Sequence, residues 1–268
     1  MSRSTPAPKI SIFVIHNNEK RVDKLIAQLK KLNFGEIQES SRNHNIKISR
    51  YVLLCRMAIK IQVEVRFSCY LKQTGRPFKA IYNTFLSDFL HIIFVKSFWV
   101  YRKRILTEHQ ISCKHISSLN NFLKTKNEFL LVVESDSVLI NSSSFRKDLI
   151  IATELMKNST SALTLLSKGF SRDKIGIDEI HLKKVNFVQH KIASTNMLSA
   201  YLLNKAAVLQ ILNKTKSYRQ GIPYLPFDWH VNRVLSDLAK DGINFHGFSL
   251  QSGDMIHGSF QGQYKSWR

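Results

Sequence analysis

The stretch Phe129–Ile140, FLLVVESDSVLI, decides how this sequence folds. A continuous apolar run of strand length reads as a strand buried on both faces, the kind found inside parallel sheets. The run stops at Glu134-Ser135-Asp136 and then turns apolar again. Alternate residues leaving a strand point the same way, so both carboxylates can converge on one place. In an open α/β sheet that place, outside the carboxyl ends of the strands, is where ligands gather.

The pattern around this strand is regular. TEHQISCKHISSLNNFLKTKN, from Thr107, carries Ile111, Ile116, Leu119, Phe122 and Leu123 at helical spacing. NSSSFRKDLIIATELMKN offers serine caps and then a helix, and SALTLLS reads as another buried strand. Helix, strand, helix, strand is the order of a wound α/β sheet. Upstream, KISIFVI predicts a first strand. RVDKLIAQLKKLNF predicts a helix through Val22, Leu25, Ile26, Leu29 and Leu32, closed by Gly35. Downstream, SAYLLNKAAVLQILNK reads as a short strand running into a helix. PFDWHVNRVLSDLAKDG reads as a helix entered through Pro226 and Asp228 and stopped by Gly242.

Residues 40–105 break this order. IKIQVEVRF, from Ile59 to Phe67, alternates strictly and predicts a half-exposed strand of antiparallel type. FLSDFLHIIFVKSFWVY, from Phe85, is interrupted by Asp88, His91 and Lys96. It is too short and too charged for a clean membrane span, and reads as a buried helix or an interfacial one. The expected organisation is a polar tail over 1–8 and one α/β domain over 9–268, with 40–105 as an irregular basic insertion or acceptor region.

The 268 residues contain 40 Lys and Arg against 19 Asp and Glu, a net charge of +21. Such a surface favours anionic partners: nucleic acid, anionic lipid or phosphorylated substrates. Between Ser41 and Thr107 the only acids are Glu64 and Asp88. Three cysteines, Cys55, Cys69 and Cys113, with no CxxC pair, argue against a disulfide framework or a zinc site and fit a reducing compartment. The opening MSRSTPAPKISIFVIHNN has no apolar segment of signal-peptide length, so the expected location is cytoplasmic, with peripheral contact at an anionic membrane face. The sequons at Asn141, Asn158 and Asn213 carry no weight in that setting.

Two hard oxygen ligands, Glu134 and Asp136, suit Mg²⁺ or Mn²⁺, which keep waters and take further oxygens from substrate phosphates. The alternative is structural: Glu134 caps the helix near Ser142–Ser144 and Asp136 makes a turn.

The order of elements from Thr107 to Leu139 resembles glycosyltransferase family 25, the lipooligosaccharide and collagen galactosyltransferases. That family has a Glu, a Ser/Cys-x-x-His helix, a basic turn and a strand ending in Glu-Asp-Asp. Here Glu108, Cys113 and His115 stand in the helix and Glu134-Ser135-Asp136 at the strand end, with Ser135 replacing the middle acid. SIFVIHNNEKRVDKL is similar to the family's opening strand and loop, with His16 where an Asn is usual and Lys24 near the usual Arg. Ala200, Tyr201, Lys205 and Ala207 match its Ala-Tyr-Leu-Ile strand and Lys-x-Ala helix. Pro226 and Asp228 match its Pro-x-Asp segment. The resemblance covers roughly 9–35 and 107–268 and leaves 40–105 unmatched.

The resemblance implies a GT-A-like, mixed and mostly parallel sheet flanked by helices. It implies a UDP-hexose donor, galactose or glucose, a glycan or glycolipid acceptor, a divalent metal on Glu134 and Asp136, and inversion at the anomeric carbon. Inversion needs a general base on the acceptor hydroxyl. Asp228 is the candidate base, or else the N-cap of its helix. Arg21 and Lys24 are placed near the nucleotide. In the tail GDMIHGSFQGQYKSWR, His257 is a candidate third metal ligand and Lys265 a candidate diphosphate contact, or the tail is simply solvated.

Three other readings stand beside this one. A nucleic-acid-binding protein fits the charge, but no zinc pattern, RNP-like motif or one-sided basic helix accompanies it. A transferase-like protein without turnover fits the departures at Ser135 and His16. A nucleotidyltransferase fits an acid pair at a strand end.

Overall fold

In the computed structural model the described residues are 8–16, 19–40, 76–82, 98–168, 179–182, 185–190, 193, 195, 198–218 and 226–257. The strand expected at 59–67, most of the apolar stretch from Phe85 and the tail carrying Lys265 lie outside them.

The strands are β1 (Ile10–Ile15), β2 (Ile37–Glu39), β3 (Phe129–Glu134), β4 (Ser137–Leu139), β5 (Ala162–Leu165), β6 (Ser167–Lys168), β7 (Glu179–His181), β8 (Phe187–His190), β9 (Ala200–Asn204), β10 (His246–Leu250) and β11 (Met255–His257). The helices are α1 (Glu19–Lys30), α2 (Pro77–Tyr82), α3 (Phe98–Leu123), α4 (Ser142–Lys157), α5 (Lys205–Ser217) and α6 (Phe227–Lys240).

Eight strands form one mixed sheet in the order β2-β1-β3-β9-β5-β10-β8-β7. β1 is parallel to β2 and β3, and β5 to β10, while β9 runs antiparallel between β3 and β5. β8 and β7 add antiparallel pairs at one edge. The expectation of a mixed α/β sheet therefore holds, although antiparallel pairings are more numerous than parallel ones. A small second sheet, β4-β11-β6, lies beyond the ends of β3 and β5.

Strand alternation builds the two layers. Ile10, Ile12 and Val14 of β1 and Phe129, Leu131 and Val133 of β3 face α1 and α4, whose Leu25, Leu29, Phe145 and Leu149 complete one core. Phe13 and Ile15, with Leu130 and Val132, face the other way, onto Ile116, Leu119 and Phe122 of α3, Ile211 of α5 and Val234 of α6. Because β3 is covered on both faces, its sequence is continuously apolar.

Several boundaries differ from expectation for physical reasons. α1 ends at Lys30 rather than near Phe34, because the chain leaves the helix to bury Leu32 and Phe34. Leu32 N–H turns back to Leu29 O at 3.0 Å, and Asn33 takes a left-handed φ of 54°. α3 begins at Phe98, nine residues before Thr107 and inside the segment read as irregular, and α2 also lies there. The cap of α4 is Asn141, whose Oδ1 accepts from the N–H groups of Ser143 and Ser144 at 3.0 and 3.2 Å. Gly242, at φ 75°, follows α6 as expected.

His230 of α6 is buried. Its Nε2 meets Thr215 Oγ1 at 2.9 Å, and burial, with Arg233 adding to it, pushes its pKa down to about 4. Below its ordinary pKa of 6.5 the unfolded chain takes up this proton and the folded one does not, so stability falls as the pH drops. Denaturant titrations are expected to give constant stability from this residue above about pH 6.5 and a loss of about 1.4 kcal/mol per pH unit toward pH 4. His230→Gln is expected to flatten that slope.

Candidate functional site

β1, β3 and β5 deliver their carboxyl ends to one edge of the sheet, and antiparallel β9 begins there. The strand order reverses between β1 and β3: the connection from β1 leads to β2 on one side, and β3 lies on the other. This crevice is where an α/β sheet accepts ligands. Glu134 is paired in register with Ile15 at its lip. The strand ends are pinned together by backbone bonds from Ser135 N–H to Ile15 O at 2.8 Å and from Glu134 N–H to Ser199 O at 2.7 Å.

Glu134 is held from below. His115 of α3 is fully buried, and its Nε2 lies 2.9 Å from Glu134 Oε1. Its Nδ1 lies 2.8 Å from the hydroxyl of Tyr201 on β9. Burial lowers the His115 pKa to about 3, against a smaller opposing pull from Asp136, so the ring is neutral. A neutral imidazole carries one donor and one acceptor. The ring therefore bridges the Tyr201 hydroxyl and the Glu134 carboxyl, donating to one and accepting from the other. Burial and the charge of Glu134 both raise the Tyr201 pKa, which keeps that phenol protonated. Phe227 at the start of α6 stacks on the imidazole at 4.3 Å between centroids and 3° between planes.

Asp136 is the second carboxylate. Its Oδ2 lies 2.9 Å from Nε2 of His257 on β11. The pairing of β11 with β4 fixes this contact, because His257 stands opposite Ser137. Its Oδ1 is buried and accepts no hydrogen bond. An unsatisfied buried carboxylate oxygen is costly in a finished fold. The Glu134 carboxyl is held well above its ordinary range, by burial first and then by the negative charge of Asp136, with His257 opposing. Both acids keep an opening to solvent, with side chains 26% and 19% exposed.

This donor set fits a divalent cation. Two carboxylates sit close enough to repel, and one buried oxygen has no partner; a hard cation answers both. Among the described residues no cluster of three or more His, Cys, Asp and Glu forms a ready-made cage. Two carboxylate oxygens are the donor type that Mg²⁺ or Mn²⁺ would use, with the remaining oxygens from water and phosphate. His257 grips Asp136 through the nitrogen that would otherwise ligate, which makes it an orienting partner of the carboxylate in this arrangement.

The sequence-derived residues are distributed as follows. Glu134, Asp136 and His257 come together. Asp228 lies in the first turn of α6, directly after the Phe227 ring that stacks on His115. It is not the N-cap: that position is Pro226, without a side-chain cap bond, and Asp228 Oδ1 accepts from Trp229 N–H at 2.9 Å. Nor does Glu134 cap α4, since Asn141 does. Lys24 is exposed on α1, Arg21 stands in the same helix, and Lys265 lies outside the described residues.

Lys114 and His16 also meet at this edge. Lys114 is buried, and its Nζ donates to His16 O at 2.5 Å, placing a cation beside the end of β1. His16 itself meets Glu39 of β2 at 3.4 Å. The signal for Lys114 was the run Cys113-Lys114-His115, in which consecutive polar residues interrupt the apolar face of a helix.

The buried and open halves of the site are expected to respond differently to mutation. Tyr201→Phe strands the buried Nδ1 of His115 and should lower unfolding stability by about 1–3 kcal/mol. Asp136→Ala removes a repelling charge and should change stability by less than about 1 kcal/mol. Urea denaturation of both variants checks this contrast.

Comparison with known proteins leaves the chemistry of the site to its geometry: no protein-family model matches the chain, and no curated protein matches it significantly.

Proposed function

We propose that the protein is a glycosyltransferase of GT-A type. It moves a hexose, galactose or glucose, from a UDP-sugar to a glycan or glycolipid acceptor, with inversion and with Mn²⁺ or Mg²⁺. The observation that carries this reading is the pair Glu134 and Asp136 at the β1–β3 crevice, with Asp136 Oδ1 buried and unsatisfied. The ordered resemblance to family 25 motifs supports it, because Glu134, His115, Tyr201 and Phe227, which are far apart in the sequence, meet at this one point.

In this reading Asp136, oriented by His257, and Glu134, oriented by His115, would present the oxygens that hold a divalent cation, and that cation would supply positive charge to the leaving diphosphate. Lys114 adds positive charge at the end of β1, on the side where the nucleotide would lie. Asp228 accepts the proton of the acceptor hydroxyl while that oxygen attacks the anomeric carbon. The bond from that carbon to the diphosphate breaks on the opposite face, and UDP departs with the bonding electrons. The N–H of Trp229 fixes the carboxylate of Asp228 for this task.

Thermal unfolding with UDP, with Mn²⁺ and with both is the first test. A ligand that binds only the folded state raises Tm with its occupancy. The two together are expected to stabilise more than either alone, and Asp136→Ala should abolish that gain. Asp228→Asn should keep the gain and lose sugar transfer by about a hundredfold or more. If UDP and Mn²⁺ have no effect on the wild type, the reading fails.

A further inference from the structure

We infer that α2 is a docking element for an anionic phospholipid surface. This inference goes beyond the sugar-transfer reading and does not rest on it. Phe78 is 86% exposed, and Ile81 and Tyr82 are 51% and 64% exposed. These are three of the large apolar side chains most open to solvent among the described residues. At 100° per residue they share about one third of the helix circumference. Ala80, on the opposite side, is fully buried. The helix thus turns its smallest residue toward the protein and its largest apolar residues toward solvent, the reverse of a helix that serves the core.

Charge identifies the occupant. Lys79 is exposed next to this apolar face, and Arg76 is exposed just before the helix begins. The sequence from 41 to 107 has thirteen Lys and Arg against Glu64 and Asp88, a surplus of 11 and about half of the chain's net charge of +21. Apolar side chains flanked by basic ones match the boundary of an anionic bilayer, where the rings enter below the headgroups and the cations stay at phosphate level. Nucleic acid would use the charge but leave the apolar face in water. No helix among the described residues is long and apolar enough to cross a membrane.

Co-sedimentation of the full chain with vesicles tests this. Vesicles of phosphatidylcholine are compared with vesicles rich in phosphatidylglycerol. The wild type is expected to pellet with the anionic vesicles only. The combined variant Phe78→Ser, Ile81→Ser, Tyr82→Ser should keep the wild-type Tm, because these side chains are already exposed. It should lose roughly tenfold or more of its partitioning. Added salt should weaken wild-type binding without abolishing it. Equal partitioning of the variant, or no partitioning of the wild type, overturns the inference. So does capture by duplex DNA in place of vesicles, or a dimer on gel filtration that the variant dissolves, which would make a second copy the occupant. The metal-dependent response to UDP is measured on the same variant, and its loss or retention reports on the crevice separately.

Discussion

The buried imidazole of His115 is the constraint on which the site depends. It joins α3 to β9 through Tyr201 and to the end of β3 through Glu134, with Phe227 of α6 stacked on its face. Four elements that meet only in the folded chain are therefore held by one ring. A neutral histidine offers one donor and one acceptor, so a single tautomer satisfies both neighbours at once. Its reach ends at the strand terminus, where Glu134 is still open to solvent. The interior thus fixes the position of a carboxyl that is partly open at the strand end.

The electrostatics of that edge run against the rest of the molecule. The chain carries a net +21, yet Glu134 and Asp136 are held close together and half-buried at the crevice. Their mutual repulsion and the unsatisfied Asp136 Oδ1 are strains that packing alone would have removed. Strain kept in a well-packed region marks a place shaped for something other than stability. His257 moderates the strain without cancelling it.

Much of this architecture was legible in the sequence. β3, β5 and β9, and the helices after β3 and β9, announce themselves, because residues covered on both faces must be continuously apolar and helical faces must repeat. The acid pair was legible because polar residues at the tip of such a strand have no packing role. The meeting of His257 with Asp136 was visible only as a candidate, since it depends on β11 returning to pair with β4. The role of His115 was not legible: a histidine on an apolar helix face looks like core until its two partners, 19 and 86 residues away, are placed. Lys114 was hidden for the same reason. The early end of α1 escaped because the burial of Leu32 and Phe34 is a tertiary demand that overrides helical spacing.

The place where a divalent cation binds is the most direct test of the proposed site. Crystals of the protein soaked with Mn²⁺ and UDP would give an anomalous difference map at the manganese absorption edge. The expected result is a single strong peak within coordination distance of Asp136 Oδ1, with diphosphate oxygens completing the shell and His115 still bridging Tyr201 and Glu134. A peak elsewhere, or UDP bound at the crevice with no metal between it and Asp136, would contradict the account.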